Sequence, residues 1–314
     1  MVNPKKINIR ADRFLQQLGI VFLLGLSSAC RISLPVAASD EARASPSAAS
    51  CPPGDHRYGI DSGGATRYYT LHVPPVAAAE TSASVVIGFH GFGGKADLFG
   101  SYSGFSALAD REGFLAVYPQ GAGEVPNWEV NPVDPNADVD FVRKLLDDVS
   151  ARCSIDPRRI YAAGHSLGGG MVHRLACDLA DRIAAIAPVS GSFPPDDACR
   201  PARPVPVIAF HGVQDQVIPY GGVGDRGVPP AAYFSFNIPV RQRLSAWAER
   251  NGCDLQPPVL LDEPFLAGTA WSGCRDDADV ILYSIPDGGH EWPDHTEFNA
   301  SEMIWEFFER HPRT

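Results

Sequence analysis

The chain has 314 residues, of which 45% are hydrophobic and 20% are charged, and its formal net charge at pH 7 is −11. This is the composition of a globular protein with enough apolar residues for one large domain or two small ones. The excess of acidic residues argues against a nucleic-acid-binding protein, which would carry a basic surface.

The N-terminal segment has the features of an export signal. Basic residues precede an apolar run from Leu18 to Leu26, and a short stretch of small residues then leads to Cys30. This order predicts a signal peptide over residues 1–29, and the run is too short for a membrane-spanning helix. The segment also resembles a bacterial lipoprotein signal that would place a lipid on Cys30, although Ser27 stands where that signal has a large aliphatic residue. Cleavage after Ala29 or Ala38 is therefore left open.

The segment after the signal differs in composition from the rest of the chain. Residues 30–50 are rich in Ala, Ser and Pro, which predicts a flexible linker, and the folded catalytic domain is expected over residues 51–314. We expect a secreted protein, extracellular or periplasmic, that contacts a membrane only through a lipid on Cys30.

The cysteines indicate a disulfide framework. Seven are present, and six remain once Cys30 is assigned to the signal, which in an exported protein suggests three disulfides. Cys177–Cys199 and Cys253–Cys274 could each close a local loop, and Cys51–Cys153 is then the remaining pair. Other pairings and buried free thiols stay open. No C-x-x-C motif supports a redox or zinc site.

Strand-like and helix-like segments alternate from Cys51 onward. Strands are predicted over Arg67–Val73, Ser84–His90, Phe114–Pro119, Arg159–Gly164, Ile183–Ser190, Val205–Gly212 and Asp279–Ile285. Helices are predicted over Asp138–Arg152 (with Asp138 as N-cap), Ser166–Ala180, Ile238–Arg250 and Glu297–Arg310. This alternation predicts an α/β fold in which helices cover both faces of a mostly parallel sheet.

Two long loops interrupt the alternation, at Pro119–Ala137 and Pro219–Asn237. Long irregular loops in compact domains often bind ligands. Their aromatic residues Trp128 and Tyr220, together with Trp292 near the C-terminus, are candidate substrate contacts, and hydrophobic packing is the equally open alternative.

The most informative motif is GHSLG at Gly164–Gly168, which follows a predicted strand and opens a predicted helix. In this context G-x-S-x-G is a nucleophile elbow, a sharp turn that exposes a serine at the end of a strand. Ser166 is therefore the predicted nucleophile, and a glycine turn without a catalytic role is the alternative.

A serine hydroxyl needs a base, and the base needs an orienting acid. His290 lies in DGGHEWP just after the last predicted strand, and Asp215 follows the strand before it, which gives the order serine, acid, histidine of the α/β-hydrolases. The weaker alternatives are His295 for the base, and Asp225 and Asp287 for the acid.

An oxyanion hole is predicted at the turn HGFGG, which follows an early buried strand. The backbone N–H groups of Leu167 and Phe92 are the expected donors, with Gly93 as a further candidate. His90 is expected to orient this turn. No G-x-G-x-x-G leads from a predicted strand into a predicted helix, and no Walker or H-E-x-x-H motif occurs, so neither a cofactor nor a metal is predicted.

Several segments together resemble a known family. They are DPRRIYAAGHSLGGGMVHRLAC, AAIAPVSG, PVPVIAFHGVQDQVIPYGG and GGHEWP. These segments are similar to the secreted polyhydroxybutyrate depolymerase/feruloyl esterase family, which is related to carbohydrate esterase family 1. The resemblance covers roughly Tyr58 to Trp305.

The resemblance implies an α/β-hydrolase fold, cleavage of carboxylic esters without a cofactor, and triad roles for Ser166, Asp215 and His290. It also suggests that Cys253 pairs with Cys274. The chain departs from many relatives in carrying His165 before the serine. It also lacks the cysteine that some relatives place shortly after the tryptophan of NWEV.

Together these features predict an exported serine ester hydrolase. Its expected substrates are hydroxyalkanoate polymers or the feruloyl or acetyl esters of plant cell-wall polysaccharides. A peptidase on the same fold and a non-catalytic surface binding protein are the alternatives.

Overall fold

The computed structural model describes residues 51–75, 77, 82–131, 135–191, 199–222, 238–256 and 259–314. The predictions for the signal peptide, for Cys30, for the linker and for most of the second long loop lie outside these residues. The described residues belong to one compact unit, Pro46–Thr314. No helix in the described part is long and apolar enough to span a membrane.

One sheet organises the described residues. Its strands are β1 Gly54–Ser62, β2 Ala65–Val73, β3 Ala83–Phe89, β4 Leu115–Pro119, β5 Ile155–His165, β6 Ile186–Val189, β7 Val207–Gly212, β8 Val259–Glu263, β9 Leu266–Trp271 and β10 Val280–Ile285. They lie in the order β1-β2-β4-β3-β5-β6-β7-β10-β9-β8. The strands from β4 to β10 in this order are parallel, and antiparallel strands flank them at both ends.

All seven predicted strands are present, and the sequence analysis missed β1, β8 and β9. These three lie in the antiparallel flanks of the sheet, where one or both faces meet solvent. In β1 exposed and half-buried side chains alternate along most of the strand, so it lacks the continuous apolar run that marks a central strand.

The helices are α1 Ala96–Ser103, α2 Phe105–Glu112, α3 Ala137–Arg152, α4 Leu167–Asp178, α5 Val240–Asn251 and α6 Ala300–Arg310. The four predicted helices correspond to α3 through α6. Two further helices, α1 and α2, are too short to give a clear helical period. Gly104, with φ of 74°, ends the first and begins the second.

The predicted N-cap of α3 is wrong by two residues. Asn136 caps this helix, since its side chain accepts hydrogen bonds from the backbone N–H groups of Asp138 and Val139. Asp138 instead forms an ion pair with Arg67 on β2 at 2.8 Å and accepts a hydrogen bond from the Glu129 backbone N–H. Its carboxylate thus ties the start of α3 to the sheet.

Helices cover both faces of the sheet, which confirms the α/β prediction. One apolar cluster joins the sheet to α3, α4 and α5, and a second joins it to α1, α2 and α6. The central strand β5 serves both clusters, with Ala162 in the first and Tyr161 in the second. Because both faces of the central strands are buried, β3 and β7 are buried along their whole length.

Three disulfides are present, and the free-thiol alternative is wrong. They join Cys51 to Cys153, Cys177 to Cys199 and Cys253 to Cys274. Each includes a cysteine at or just beyond the C-terminal end of α3, α4 or α5. Because these helices return the chain to the start of the next strand, all three disulfides lie at the amino edge of the parallel strands.

Candidate active site

The opposite, carboxyl edge of the parallel strands carries the predicted nucleophile. Ser166 stands between the last residue of β5 and the first residue of α4. Its φ of 56° and ψ of −119° lie in a region that a residue with a side chain rarely adopts, at a typical cost of about 1–3 kcal/mol. The backbone of Ser166 is held in this turn by donating to the Val189 carbonyl and accepting from the Gly170 N–H.

The glycines on either side of Ser166 are needed because the backbone is crowded there. A Cβ on Gly164 would lie 2.2 Å from the Gly168 carbonyl oxygen, and a Cβ on Gly168 would lie 2.2 Å from the Phe89 carbonyl oxygen. Neither position has room for a side chain. The pentapeptide therefore forms a strained elbow in which only Ser166 has a positive φ.

A chain of hydrogen bonds joins the three predicted triad residues. His290 Nε2 lies 2.9 Å from Ser166 Oγ, and His290 Nδ1 lies 2.7 Å from Asp215 Oδ2. Because a carboxylate only accepts hydrogen bonds, Nδ1 carries the proton and Nε2 is free to accept the serine proton. The alternative base, His295, is exposed and stacks on Phe298 instead.

The side chain of Asp215 is fully buried at the turn after β7. Its Oδ1 accepts hydrogen bonds from the backbone N–H groups of Val217 and Ile218, which leaves Oδ2 facing His290. Burial by itself raises the pKa of Asp215. Hydrogen bonds from His211, His290 and the Ile218 N–H outweigh it and hold the pKa well below its usual range. Asp215 is therefore ionised whenever the protein is folded near neutral pH.

The other candidate acids do not take this place. Asp287 is exposed, and Asp225 lies outside the described residues.

His211 is a site residue that the sequence analysis missed. Its Nε2 donates to the Ile218 carbonyl at 2.8 Å and lies 3.4 Å from Asp215 Oδ2. It therefore ties the turn at Ile218 and lies against the same carboxylate oxygen that contacts His290. Its position four residues before Asp215, at the end of β7, is the signal that could have identified it.

The HGFGG turn packs directly against the nucleophile, since a Cβ on Gly91 would lie 3.2 Å from Ser166 Cβ. Within the described residues the backbone N–H groups of Phe92 and Leu167 have no hydrogen-bond partner. Both are thus available to an oxyanion. Gly93 is not, because its N–H donates to the Pro126 carbonyl at 2.8 Å. The candidate role of Gly93 as a donor is therefore wrong.

His90 orients this turn, as expected. Its Nδ1–H donates to the Gly91 carbonyl at 2.7 Å, and its Nε2 accepts from the Gly121 N–H and the Gln120 side-chain amide. Two donors at Nε2 require the neutral ring, and burial lowers the pKa of His90 accordingly. The ring fastens the oxyanion turn to the loop after β4.

Of the three aromatic residues predicted to contact the substrate, two are buried in the core instead. Trp128 is 2% exposed and donates from Nε1 to the His90 carbonyl, and Trp292 is 6% exposed and donates from Nε1 to Ser301 Oγ. Both rings belong to the core, so neither can meet a substrate. Tyr220 is half-buried with its hydroxyl on Ser284 Oγ, and its contact with substrate stays a prediction.

Sequence comparisons place the chain among esterases. The family model for esterase PHB depolymerase matches residues 67–198. The putative esterase NocK of Nocardia uniformis is 31% identical over 254 residues, which cover 74% of this chain and 72% of that protein. Feruloyl esterase B of Piromyces equi is also 31% identical, over 77% of this chain and 44% of that protein, so this chain spans less than half of that relative's length.

Solved structures share the fold. The acetyl xylan esterase from Aspergillus awamori superposes with a TM-score of 0.58 at 15% identity. The match covers 81% of this chain and 99% of that one.

Proposed function

The chain belongs to the esterase PHB depolymerase family of carboxylic-ester hydrolases, and on that premise we propose that it cleaves its ester through an acyl-enzyme on Ser166. The observation that carries this proposal is the unbroken hydrogen-bond chain from Ser166 Oγ through His290 to Asp215. A serine with this connection has a base to take its proton and a buried carboxylate to stabilise the resulting cation.

In the first half of the reaction Ser166 Oγ attacks the ester carbonyl carbon as its proton passes to His290 Nε2. The carbonyl oxygen becomes an oxyanion, which the N–H groups of Phe92 and Leu167 receive, and such donors are worth roughly 3 kcal/mol each in comparable enzymes. Collapse of this intermediate breaks the bond to the alcohol oxygen. His290 returns its proton to that oxygen, and the alcohol leaves.

The second half repeats these steps with water. His290 Nε2 removes a proton from the water molecule, whose oxygen attacks the acyl carbon of Ser166. Collapse releases the carboxylic acid, and Ser166 Oγ regains its proton from His290. Asp215 stays ionised throughout, since its low pKa keeps it from taking up the proton that His290 carries.

We propose an apolar acyl group larger than acetyl, of the hydroxybutyryl or feruloyl kind. Large apolar side chains stay exposed next to the triad, among them Phe92 on the oxyanion turn (66%) and Val217 beside Asp215 (58%). Tyr102 on α1 is 49% exposed and packs on His165, the neighbour of Ser166. Exposed apolar residues grouped around a catalytic group favour an apolar ligand over a small polar one.

We also propose that the protein acts outside the cytoplasm, with residues 1–29 as its signal peptide and Cys30 as a lipid attachment site. The three disulfides support an oxidising compartment. Mass spectrometry of the protein exported from its host would find an N-terminus at Cys30 with the added mass of a lipid, and a mature chain that begins after Cys30 would refute the lipid attachment. A mature chain that retains residues 1–29 would refute this proposal.

Hydrolysis of p-nitrophenyl acetate by the wild type and by Ser166→Ala tests the proposed chemistry. We expect the variant to lose about five to six orders of magnitude in kcat while keeping the wild-type melting temperature. Equal activity in the two proteins would exclude the acyl-enzyme. An inactive folded wild type would favour a binding protein, and cleavage of amide but not ester substrates would favour a peptidase.

The substrate class is tested by comparing methyl ferulate, hydroxybutyrate oligomers and acetylated xylan. We expect kcat/KM to be highest for one of the first two. A clear preference for acetylated xylan would refute the proposed acyl group without affecting the proposed chemistry.

A further inference from the structure

His165 borders every part of the candidate site. It ends β5 directly before Ser166, and its ring centroid lies 5.0 Å from that of His290 and 5.4 Å from that of Tyr102. A Cβ on Gly91 would lie 3.6 Å from His165 Nδ1, so the ring also reaches the oxyanion turn. One side chain therefore contacts the proposed base and the turn that carries an oxyanion donor.

Packing alone does not explain a histidine at this position. Its Nε2 is buried and has no hydrogen-bond partner among the described residues. Leaving a buried polar atom unpaired destabilises the fold, whereas a phenyl ring would fill similar space without that cost. Unpaired buried polar groups in folded proteins call for a functional explanation, and this one lies against the catalytic base.

We propose that His165 is a positioning residue that acts through His290, its polar ring stabilising the positive charge that His290 acquires when it takes the Ser166 proton. The inference rests on the proposed function, because only a base that is protonated during turnover needs this support. His290 already has Asp215 on Nδ1 and Ser166 on Nε2, and His165 supplies the polar neighbour against its ring. Fixed dipoles in a water-poor site stabilise a developing charge without having to reorganise.

The charge state of His165 suits this role. Burial, and then the charge of His290, lower the pKa of His165 to about 4, while Asp215 and a hydrogen bond to the His290 backbone act in the opposite direction. Near neutral pH the ring is therefore a neutral dipole that does not repel a cation on His290. The other titratable groups facing the pair are His211 at the end of β7, Tyr102 on α1, and Glu291 in the His290 loop.

Two substitutions separate the polar role from simple packing. His165→Phe keeps a ring and removes both nitrogens, whereas His165→Asn keeps a polar group and removes the ring. If the polarity matters, the Phe variant should lose about tenfold in kcat with KM unchanged, because the missing dipole acts on the charge of His290. The acid limb of its kcat/KM profile should also move to lower pH by about one unit, because tenfold in an equilibrium corresponds to one pH unit.

In contrast, His165→Asn should stay within about threefold of the wild type and keep its acid limb, because it retains a dipole beside His290. The Phe variant should melt at the wild-type temperature or above it, since it no longer buries an unpaired nitrogen. His295→Phe, a change to an exposed histidine five residues after His290, is the matched control and should alter neither activity nor the pH profile.

Wild-type activity and pH profile in His165→Phe would overturn the proposal, since a ring alone would then suffice. Loss of activity in both variants together with a lowered melting temperature would also overturn it and assign His165 to the core. Neither result would bear on the proposed acyl-enzyme chemistry, which the Ser166→Ala variant tests separately.

Discussion

The two edges of the parallel strands are held in place by different means. At the carboxyl edge Ser166 adopts a strained backbone conformation, and the buried Nε2 of His165 has no partner among the described residues. At the amino edge the polar groups are well paired. Arg203 donates to the carbonyls of Ala180, Ile183, Ala184 and Pro204, and Asn251 bonds both Val205 and Ala278.

All three disulfides belong to the amino edge, and each has one cysteine near the C-terminal end of a helix. The strained nucleophile lies at one end of the parallel strands, and the three disulfides and the multiple hydrogen bonds of Arg203 and Asn251 lie at the other. This contrast suggests that the rigid edge supplies the stability that the strained edge lacks. Changes at the carboxyl edge should then alter activity more than stability, and changes at the amino edge should do the reverse.

Asp215→Asn should give the largest effect on activity. We expect kcat to fall about 10⁴-fold, because an amide can hold His290 in the wrong tautomer and cannot stabilise its cation. The melting temperature should change little, since the side-chain oxygen can still accept from the Val217 and Ile218 N–H groups. Steady-state kinetics and thermal unfolding measure the two quantities.

Asp287→Asn is the matched control for this prediction, because Asp287 is exposed and lies three residues before His290. It should retain wild-type kcat. A comparable loss in both variants would show that charge near the loop, rather than the buried carboxylate, sustains activity.

Removing Cys51–Cys153 should give the largest effect on stability. This disulfide closes a separation of 102 residues, against 21 for Cys253–Cys274, and the longer loop constrains the unfolded chain more. Chain-entropy estimates give about 4.7 kcal/mol for the Cys51→Ala/Cys153→Ala double variant and about 3 kcal/mol for Cys253→Ala/Cys274→Ala. Urea unfolding measures both free energies.

Both disulfide variants should keep wild-type kcat/KM at 25 °C, because neither disulfide contacts the triad. A loss of activity in folded, disulfide-free protein would contradict the proposed division between the two edges.

Gly168→Ala tests whether a change in the packed backbone of the carboxyl edge lowers stability as well as activity. The new Cβ would lie 2.2 Å from the Phe89 carbonyl oxygen and 2.7 Å from the His90 carbonyl oxygen, so the elbow and the end of β3 must move apart. We expect a loss of about 1–3 kcal/mol in the free energy of unfolding, together with at least a hundredfold loss of kcat, because the oxyanion turn moves with β3.

Gly221→Ala is the control, because a Cβ there meets no atom of the described residues within 4 Å. It should leave stability and kcat unchanged. A Gly168→Ala variant that is as stable and active as Gly221→Ala would mean that the elbow is not tightly packed.

The smallest expected effect concerns the dependence of stability on pH. Burial lowers the pKa of His165 to about 4 and that of His173 to about 3, whereas histidines in the unfolded chain titrate at about 6.5. Between those values the unfolded state binds more protons, so the free energy of unfolding must fall as the pH decreases from 7 to 5. Asp215, whose pKa is lowered, loses its stabilising contribution only at pH values below this window.

We expect each of the two histidines to contribute on the order of 1–2 kcal/mol to this fall. Urea unfolding at pH 7 and pH 5 measures it, and His165→Phe should have a smaller difference than the wild type. An unchanged difference would mean that His165 is not buried as a neutral ring.

The sequence predicted the central strands and the three triad residues for one physical reason. Ser166 and Asp215 follow strands whose ends are buried on both faces, and such strands carry continuous apolar runs that are easy to recognise. His290 follows β10, in which buried and half-buried residues are mixed but which is still rich in apolar residues. Parallel strands end at the same edge, so residues that follow them must meet there. The missed strands β1, β8 and β9 gave no such signal, because their exposed faces allow polar residues, whereas the flanking strand β2 was recognised from its alternation.

What the sequence could not predict are contacts between side chains of different elements. Trp128 and Trp292 belong to loops, and nothing in their local sequence reveals that their rings are buried against His90 and Ser301. The contact of His165 with Tyr102 likewise depends on α1, which was too short to predict. The sequence offered Gly93 as an oxyanion donor, but in the fold its N–H donates to the Pro126 carbonyl.

The disulfide between Cys51 and Cys153 also has a mechanical consequence. A pulling force transmitted along the chain from its N-terminal side reaches the described part at Cys51, next to the Gly54–Val73 end of the β1–β2 pair. Without a cross-link, that load would unzip β1 from β2 one hydrogen bond at a time. The disulfide diverts the load to Cys153, between α3 and β5, so that it enters the centre of the sheet and the hairpin carries almost none of it.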